Sequence, residues 1–195
     1  MSERLSKAII EILLKNGLIV RSEIEIYCYG YETLIYSIEQ MMLLIFVGTI
    51  LRRYWEVLVF TIVFVSLRRY TGGYHAHTRV GCTCITVIMY IVIILMTQIT
   101  VFNTLTIYVF IFIFFWYAFF KNVPVEHYDK PLSCQQCRRN KRISFIISIF
   151  YTIISGCMVL HGIYEETGRM IIWTMFAVSF LVVFKGLDFI TLQKG

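Results

Sequence analysis

Apolar residues run along this chain in long blocks separated by short polar stretches, which is the pattern of membrane-spanning helices rather than of amphipathic soluble ones. Six blocks are predicted as spans, at about Leu34 to Leu51, Tyr54 to Leu67, Cys84 to Thr100, Thr104 to Phe120, Ile143 to Val159 and Met170 to Phe184. A full crossing takes roughly 20 apolar residues, with about 17 as the lower limit. The second block is shorter than that and contains Glu56. It is expected to be tilted, re-entrant or packed against the first. Ahead of the blocks, residues 3–16 alternate differently. Leu5, Ile9, Ile12 and Leu13 share one helical face, while Lys7, Glu11 and Lys15 recur on another, and Asn16-Gly17 provides a stop. An amphipathic helix of this kind, within residues 1–20, lies in the membrane interface instead of crossing it.

Composition agrees with the pattern. Of 195 residues, 58% are apolar and only 15% charged, against about 25% charged in soluble domains. The mean hydropathy is +0.74. A soluble fold is excluded, and the chain is expected to be an all-α integral membrane protein forming one membrane domain over residues 1–195. The net charge of +6 sits at the ends of the apolar blocks, so it reads as topology and not as a nucleic-acid surface. Arg68, Arg69 and Arg79 flank one link. Lys121, Lys130, Arg138, Arg139, Lys141 and Arg142 flank another, over residues 121–142, and that link also holds both prolines, Pro124 and Pro131. It is expected to be a basic connection that is non-helical at least in part. Six spans with both termini cytoplasmic place both basic links inside. Arg52 and Arg53 disagree, since they would then face outward. The first 20 residues carry Arg4, Lys7, Glu11 and Lys15 within their apolar run, so no secretory leader is read there.

The chemistry is concentrated in residues 68–84, Arg-Arg-Tyr-Thr-Gly-Gly-Tyr-His-Ala-His-Thr-Arg-Val-Gly-Cys-Thr-Cys, which lead from the second span into the third. This stretch holds two of the four histidines and two of the six cysteines. Gly72-Gly73 permits positive φ or a close backbone approach. A cysteine activated by a neighbouring imidazole is the minimum apparatus of thiol nucleophilic catalysis. Two pairs share a seven-residue spacing, His75 with Cys82 and His77 with Cys84. In one unbroken helix each pair would be separated by about 10.5 Å along the axis, yet a general base must approach within about 3 Å. Either the chain turns between them or the helix is discontinuous. Cys82 would then sit near the first turn of the third span, where the positive end of the helix favours an anion. A metal site is the rival, because His75, His77, Cys82 and Cys84 are four ligands of types that zinc accepts. Cys134-x-x-Cys137 adds a possible redox pair or half-site, and His161 falls at a span end. Otherwise the cysteines, including Cys28 and Cys157, read as small buried apolar side chains.

At this stretch the sequence resembles the AgrB family, the accessory gene regulator B proteins of Gram-positive bacteria. The matching pattern is Arg68, then Gly72-Gly73-Tyr74-His75-Ala76, then Cys82 seven residues after the histidine. The resemblance extends to Tyr29-Gly30-Tyr31-Glu32 before the first span and to Pro124-Val125-Glu126 with Lys130-Pro131-Leu132. It selects His75 and Cys82 over His77 and Cys84, a choice that spacing leaves open. It implies a cysteine endopeptidase of the bacterial plasma membrane with its site on the cytoplasmic side. Its substrate would be an AgrD-like precursor peptide, which loses its acidic C-terminal segment while the remainder closes into a thiolactone or lactone for quorum sensing. It further implies a homodimer and no cofactor.

On that reading Cys82 attacks the scissile carbonyl and His75 serves as base, then as acid. Arg68, Gly72 and Gly73 are possible supports. No third triad member stands out, with Glu126 and Asp129 as the candidates. Arg138, Arg139, Lys141 and Arg142 would attract the acidic tail, and the N-terminal helix could pair with an amphipathic precursor helix. The alternatives are a membrane metal-binding protein, and a transporter or scaffold. A transporter predicts ionisable residues within the spans, where only Glu39 and Glu56 stand out.

Overall fold

The computed structural model describes residues 9–11, 13–16, 19–20, 24–73, 78–99, 104–125 and 133–192. Every element within them is helical: α1 (Ile24–Ile50), α2 (Tyr54–Thr71), α3 (Arg79–Gln98), α4 (Thr104–Asn122), α5 (Cys134–His161) and α6 (Glu165–Leu192). Residues 9–11 and 13–15 are helical as well, while the rest of the proposed interfacial helix lies outside the described residues. The chain divides into two compact units, 1–52 and 53–195.

Among the described residues four helices are long and apolar enough to cross a membrane: α1 over Gly30–Ile50, α3 over Val80–Gln98, α5, and α6 over Glu165–Lys185. The protein is therefore an all-α membrane protein. The shortness expected of the second span extends to α4, whose apolar stretch covers only Thr106–Asn122.

In the first unit, α1 exposes apolar side chains over much of its length, including Met42, Phe46 and Ile50. Its hydroxyls turn back on the helix, with Ser37 Oγ donating to the Thr33 carbonyl and Thr49 Oγ1 to that of Ile45, both at 2.8 Å. Hydrocarbon offers a hydroxyl no other partner, so self-satisfaction is the cheap solution.

In the second unit α6 is the central helix, packing against α2, α3, α4 and α5. Its spanning stretch is more than half buried. Met170, Ile172, Met175, Val178 and Val182 form its buried faces. The helix α5 meets the bundle through small or hydroxylated residues, Ser144, Ser148, Tyr151 and Ser155, all buried. These recur at helical spacing and let backbones approach closely, which is how helices associate where no hydrophobic gradient exists. Tyr151 OH and Ser66 Oγ share a 3.0 Å hydrogen bond between α5 and α2. Gly168 makes the tightest crossing. A Cβ there would lie 2.9 Å from Met158 Cβ, 3.0 Å from Val159 Cγ2 and 3.1 Å from the Ser155 carbonyl oxygen.

Successive helices of this unit alternate in direction. Arg53 at the start of α2 meets Glu166 near the start of α6, and Trp55 Nε1 donates to Thr167 Oγ1 at 3.1 Å. At the other end, Gly73 after α2 lies against Leu181 of α6, and Val125 after α4 bonds to Thr71. One end thus collects Arg68, Arg69, Lys121, Arg138, Arg139, Lys141 and Arg142. The opposite end carries Arg53, Glu56, Glu165, Glu166 and Arg169.

At the second end Arg53 is paired with acids. Its Nη1 donates to Glu56 Oε1 at 2.8 Å, and that bond raises the guanidinium above its ordinary range. The basic connection also proves shorter than expected. Residues 134–142 form the first turns of α5, started by a Ser133 N-cap whose capping box with Gln136 is complete. The four cations Arg138, Arg139, Lys141 and Arg142 therefore stand on a helix.

Gly168→Ala is expected to destabilise the bundle by about 1–3 kcal/mol through overpacking. Gly156→Ala, which meets nothing within 4 Å, should be neutral or stabilising. Thermal unfolding of the two variants in the same detergent compares them.

Candidate active site

The polar stretch between the second and third spans resolves into a helix end, a glycine turn and a helix start. The helix α2 runs through Arg68 and Arg69 to Thr71. The Gly72 N–H closes its last turn on the Arg68 carbonyl at 3.1 Å. Gly72 has φ +72 and Gly73 φ +128, conformations that side chains with a Cβ rarely adopt. Space excludes a side chain at Gly72 too, because a Cβ there would run into the Val125 carbonyl oxygen. The same residue holds the turn from its other side, since the Val125 N–H donates to the Thr71 carbonyl at 2.9 Å. A Cβ on Gly73 would come 3.6 Å from Arg68 Nη1 and from Leu181. The glycine pair therefore fits against α6, the segment after α4 and the Arg68 guanidinium. Arg68 itself sits over the Phe64 ring at 5.5 Å.

The third span begins earlier than expected, at Arg79 rather than near Cys84. Thr78 is its N-cap, with Oγ1 accepting from the Gly81 N–H at 3.1 Å. The Cys82 N–H donates to the Thr78 carbonyl at 3.1 Å, and Thr86 Oγ1 donates to the Cys82 carbonyl at 3.0 Å. Cys82 thus closes the first turn of α3. Because α3 starts at Arg79, no continuous helix joins residue 75 to residue 82. Thr78, with extended backbone, interrupts any helix that would run from residue 75 to residue 82.

His75 and His77 lie outside the described residues, as do Glu126 and Asp129.

The two cysteines differ in their surroundings. Cys82 is half-buried and Cys84 exposed. Two residues apart on a helix means about 200° of rotation, so the two thiols leave α3 on nearly opposite sides. The four-ligand metal alternative needs both on one ion, and the helix turns them apart. Cys134 is exposed and Cys137 half-buried, and none of the six cysteines forms a disulfide. Arg138, Arg139, Lys141 and Arg142 are exposed, or nearly so, along the head of α5.

Sequence reasoning overlooked Val125 as the residue that shapes the Gly72 turn. Only its place next to Pro124 hinted at a fixed backbone. Two voids border this region and the opposite end. One of about 10 Å³ lies among Thr71, Phe115, Phe119, Val123, Val178, Ser179 and Val182, too small for a peptide. An open groove lined by Trp55, Tyr164, Glu165, Glu166, Thr167 and Arg169 is at the far end from Cys82.

A helical membrane protein with a cysteine on the first turn of a span, after a constrained glycine turn, is the class these features define. The family described as Accessory gene regulator B matches residues 6–184, and the chain belongs to it. A curated relative from Halalkalibacterium halodurans, described as AgrB-like, is 21% identical over 145 residues, covering 72% of this chain and 70% of the relative. No solved structure matches the chain. Membership ties this protein to the agr quorum-sensing system and links it to the AgrD precursor peptide.

Gly72→Ala is expected to cost at least about 1–3 kcal/mol from backbone strain alone, with the collision at Val125 added. Gly30→Ala, in open space within α1, should not lower stability. Thermal midpoints in detergent check both.

Proposed function

We propose that this protein is a membrane-embedded cysteine endopeptidase that cuts an AgrD-like precursor and promotes cyclisation of the remainder. The observation that carries this reading is the place of Cys82. It is half-buried on the first turn of α3, one turn above the cap that ends the His75 segment.

The reaction follows from those groups. The Cys82 thiolate attacks the scissile carbonyl, and His75, having taken the thiol proton, returns it to the departing amine. The C-terminal segment leaves, and an acyl-thioester remains on Cys82. A thiol or hydroxyl of the same peptide then attacks that thioester, closing the ring and releasing the cysteine. Thiol attack exchanges one thioester for another and is nearly balanced in energy, whereas hydrolysis runs strongly downhill. The site must therefore exclude water and hold the peptide bent, so that its internal nucleophile acts at high effective concentration. A thiol at the membrane edge suits both needs.

Other groups assist. The N–H groups of the first turn of α3 lack intrahelical acceptors beyond the one that Thr78 caps, and they suit a developing oxyanion. Arg68 sets the backbone of the Gly72-Gly73 turn or meets a substrate carboxylate. Arg138, Arg139, Lys141 and Arg142 attract the acidic tail. The cation-rich end faces the cytoplasm by the positive-inside rule, with the chain in the plasma membrane as a homodimer.

The test is mass spectrometry of the precursor incubated with the protein in liposomes. Cys82→Ser and His75→Ala are expected to reduce cleavage at least about 100-fold. Cys84→Ser and His77→Ala should stay within about threefold, since Cys84 faces away. Activity that survives loss of Cys82 and follows Cys84 would reverse the assignment. Cleavage indifferent to all four would remove the cysteine-nucleophile reading, and no cleavage by the wild type would remove the peptidase reading.

A further inference from the structure

The Cys134-x-x-Cys137 pair plays no part in the mechanism above, yet the fold gives it a definite setting. The Ser133 cap makes Cys134 the first residue of α5, and the Cys137 N–H makes the first intrahelical bond, to the Ser133 carbonyl at 2.9 Å. The two thiols are three residues apart and so share a face of the helix. In a regular helix neighbouring side chains at this spacing have Cβ atoms about 5–6 Å apart, whereas a disulfide needs about 3.5–4.5 Å. Closing that gap requires one residue to move. Cys134 can do so at low cost, because the N–H of a first helical residue has no intrahelical acceptor to lose. Exposure is asymmetric as well, with Cys134 open and Cys137 half-buried.

We infer that Cys134 and Cys137 form a reversible dithiol–disulfide site that exchanges with small-molecule disulfides at the cation-rich end of the bundle. The exposed Cys134, as thiolate, attacks the small disulfide, forming a mixed disulfide and releasing one thiol. Cys137, as thiolate, attacks the Cys134 sulfur, closing the bridge and releasing the second thiol. Two electrons pass from the cysteine pair to the small disulfide, and the two protons end on the released thiols. The bridge lies within one turn of α5 and ties it to no other helix, so closure leaves the bundle packing intact. No other pair in the chain offers this local route. Cys82 and Cys84 point to nearly opposite sides of α3, and Cys28 and Cys157 have no cysteine within four residues.

The test treats the full-length protein in liposomes with oxidised glutathione, blocks remaining thiols with N-ethylmaleimide and maps the peptides by mass spectrometry. In wild type, the peptide carrying both residues should be lighter by two hydrogens, should escape alkylation, and should become doubly alkylated after reduction. Cys137→Ser should stop at a glutathione adduct on Cys134. Accumulation of glutathione on both cysteines of the wild type, alkylation of both after oxidation, or a bridge from Cys134 to a different cysteine would each overturn the inference. The readout is independent of peptidase activity, so its failure and failure of the proposed function are separable.

Discussion

A peptide group in hydrocarbon has no water to bond, and the rest of this structure follows from that constraint. Within the helices the ladder satisfies the backbone, and the hydroxyls of Thr86, Ser144, Ser155, Thr174 and Ser179 return to carbonyls three or four residues earlier. Difficulty arises only where a helix stops. At those places the chain supplies specific partners: Thr78 caps α3, the Ser133–Gln136 box caps α5, and Val125 bonds the last carbonyl of α2 while its own carbonyl fills the space above Gly72. These three partners lie at the cation-rich end, whereas the left-handed Gly162 cap of α5 lies at the other.

The same constraint bears on the proposed reaction. Its thioester would have to survive until the ring closes, with water as the competitor. Cys82, on the first turn of a spanning helix, stands at the margin of the dry region. In the adjoining turn the Val125 carbonyl leaves no room for a side chain at Gly72, and Gly73 packs beside Arg68 and Leu181.

Much of the fold was legible in the sequence, because hydropathy in long blocks reports spanning helices directly. The starts at Tyr54 and Thr104 were legible too, but those of α1, α3 and α5 were not, because their first turns carry polar residues that hydropathy leaves out. The helix α3 begins five residues ahead of the expected Cys84, and α5 begins at Cys134 instead of Ile143. The Ser133-x-x-Gln136 capping signature could have shown the latter. At the site, the residue types and their spacing were readable, and resemblance to the family chose Cys82. What spacing could not supply was helical phase, which requires knowing that both cysteines lie on one helix. The close approaches at Gly168 and Gly72 depend on partners 10 and 53 residues away in the chain and left no local mark. The pairing of Arg53 with Glu166 was equally invisible.

The central claim is an acyl-thioester on Cys82, and it can be trapped. A precursor whose ring-closing thiol or hydroxyl is replaced by alanine lets acylation proceed and blocks its resolution. Intact-mass and peptide-mapping analysis of the protein after incubation with that peptide is the direct measurement. The account predicts an adduct with the mass of the N-terminal precursor fragment, attached at Cys82 and released by hydroxylamine. An adduct on Cys84, or cleavage of the peptide with no adduct on any cysteine, would contradict it.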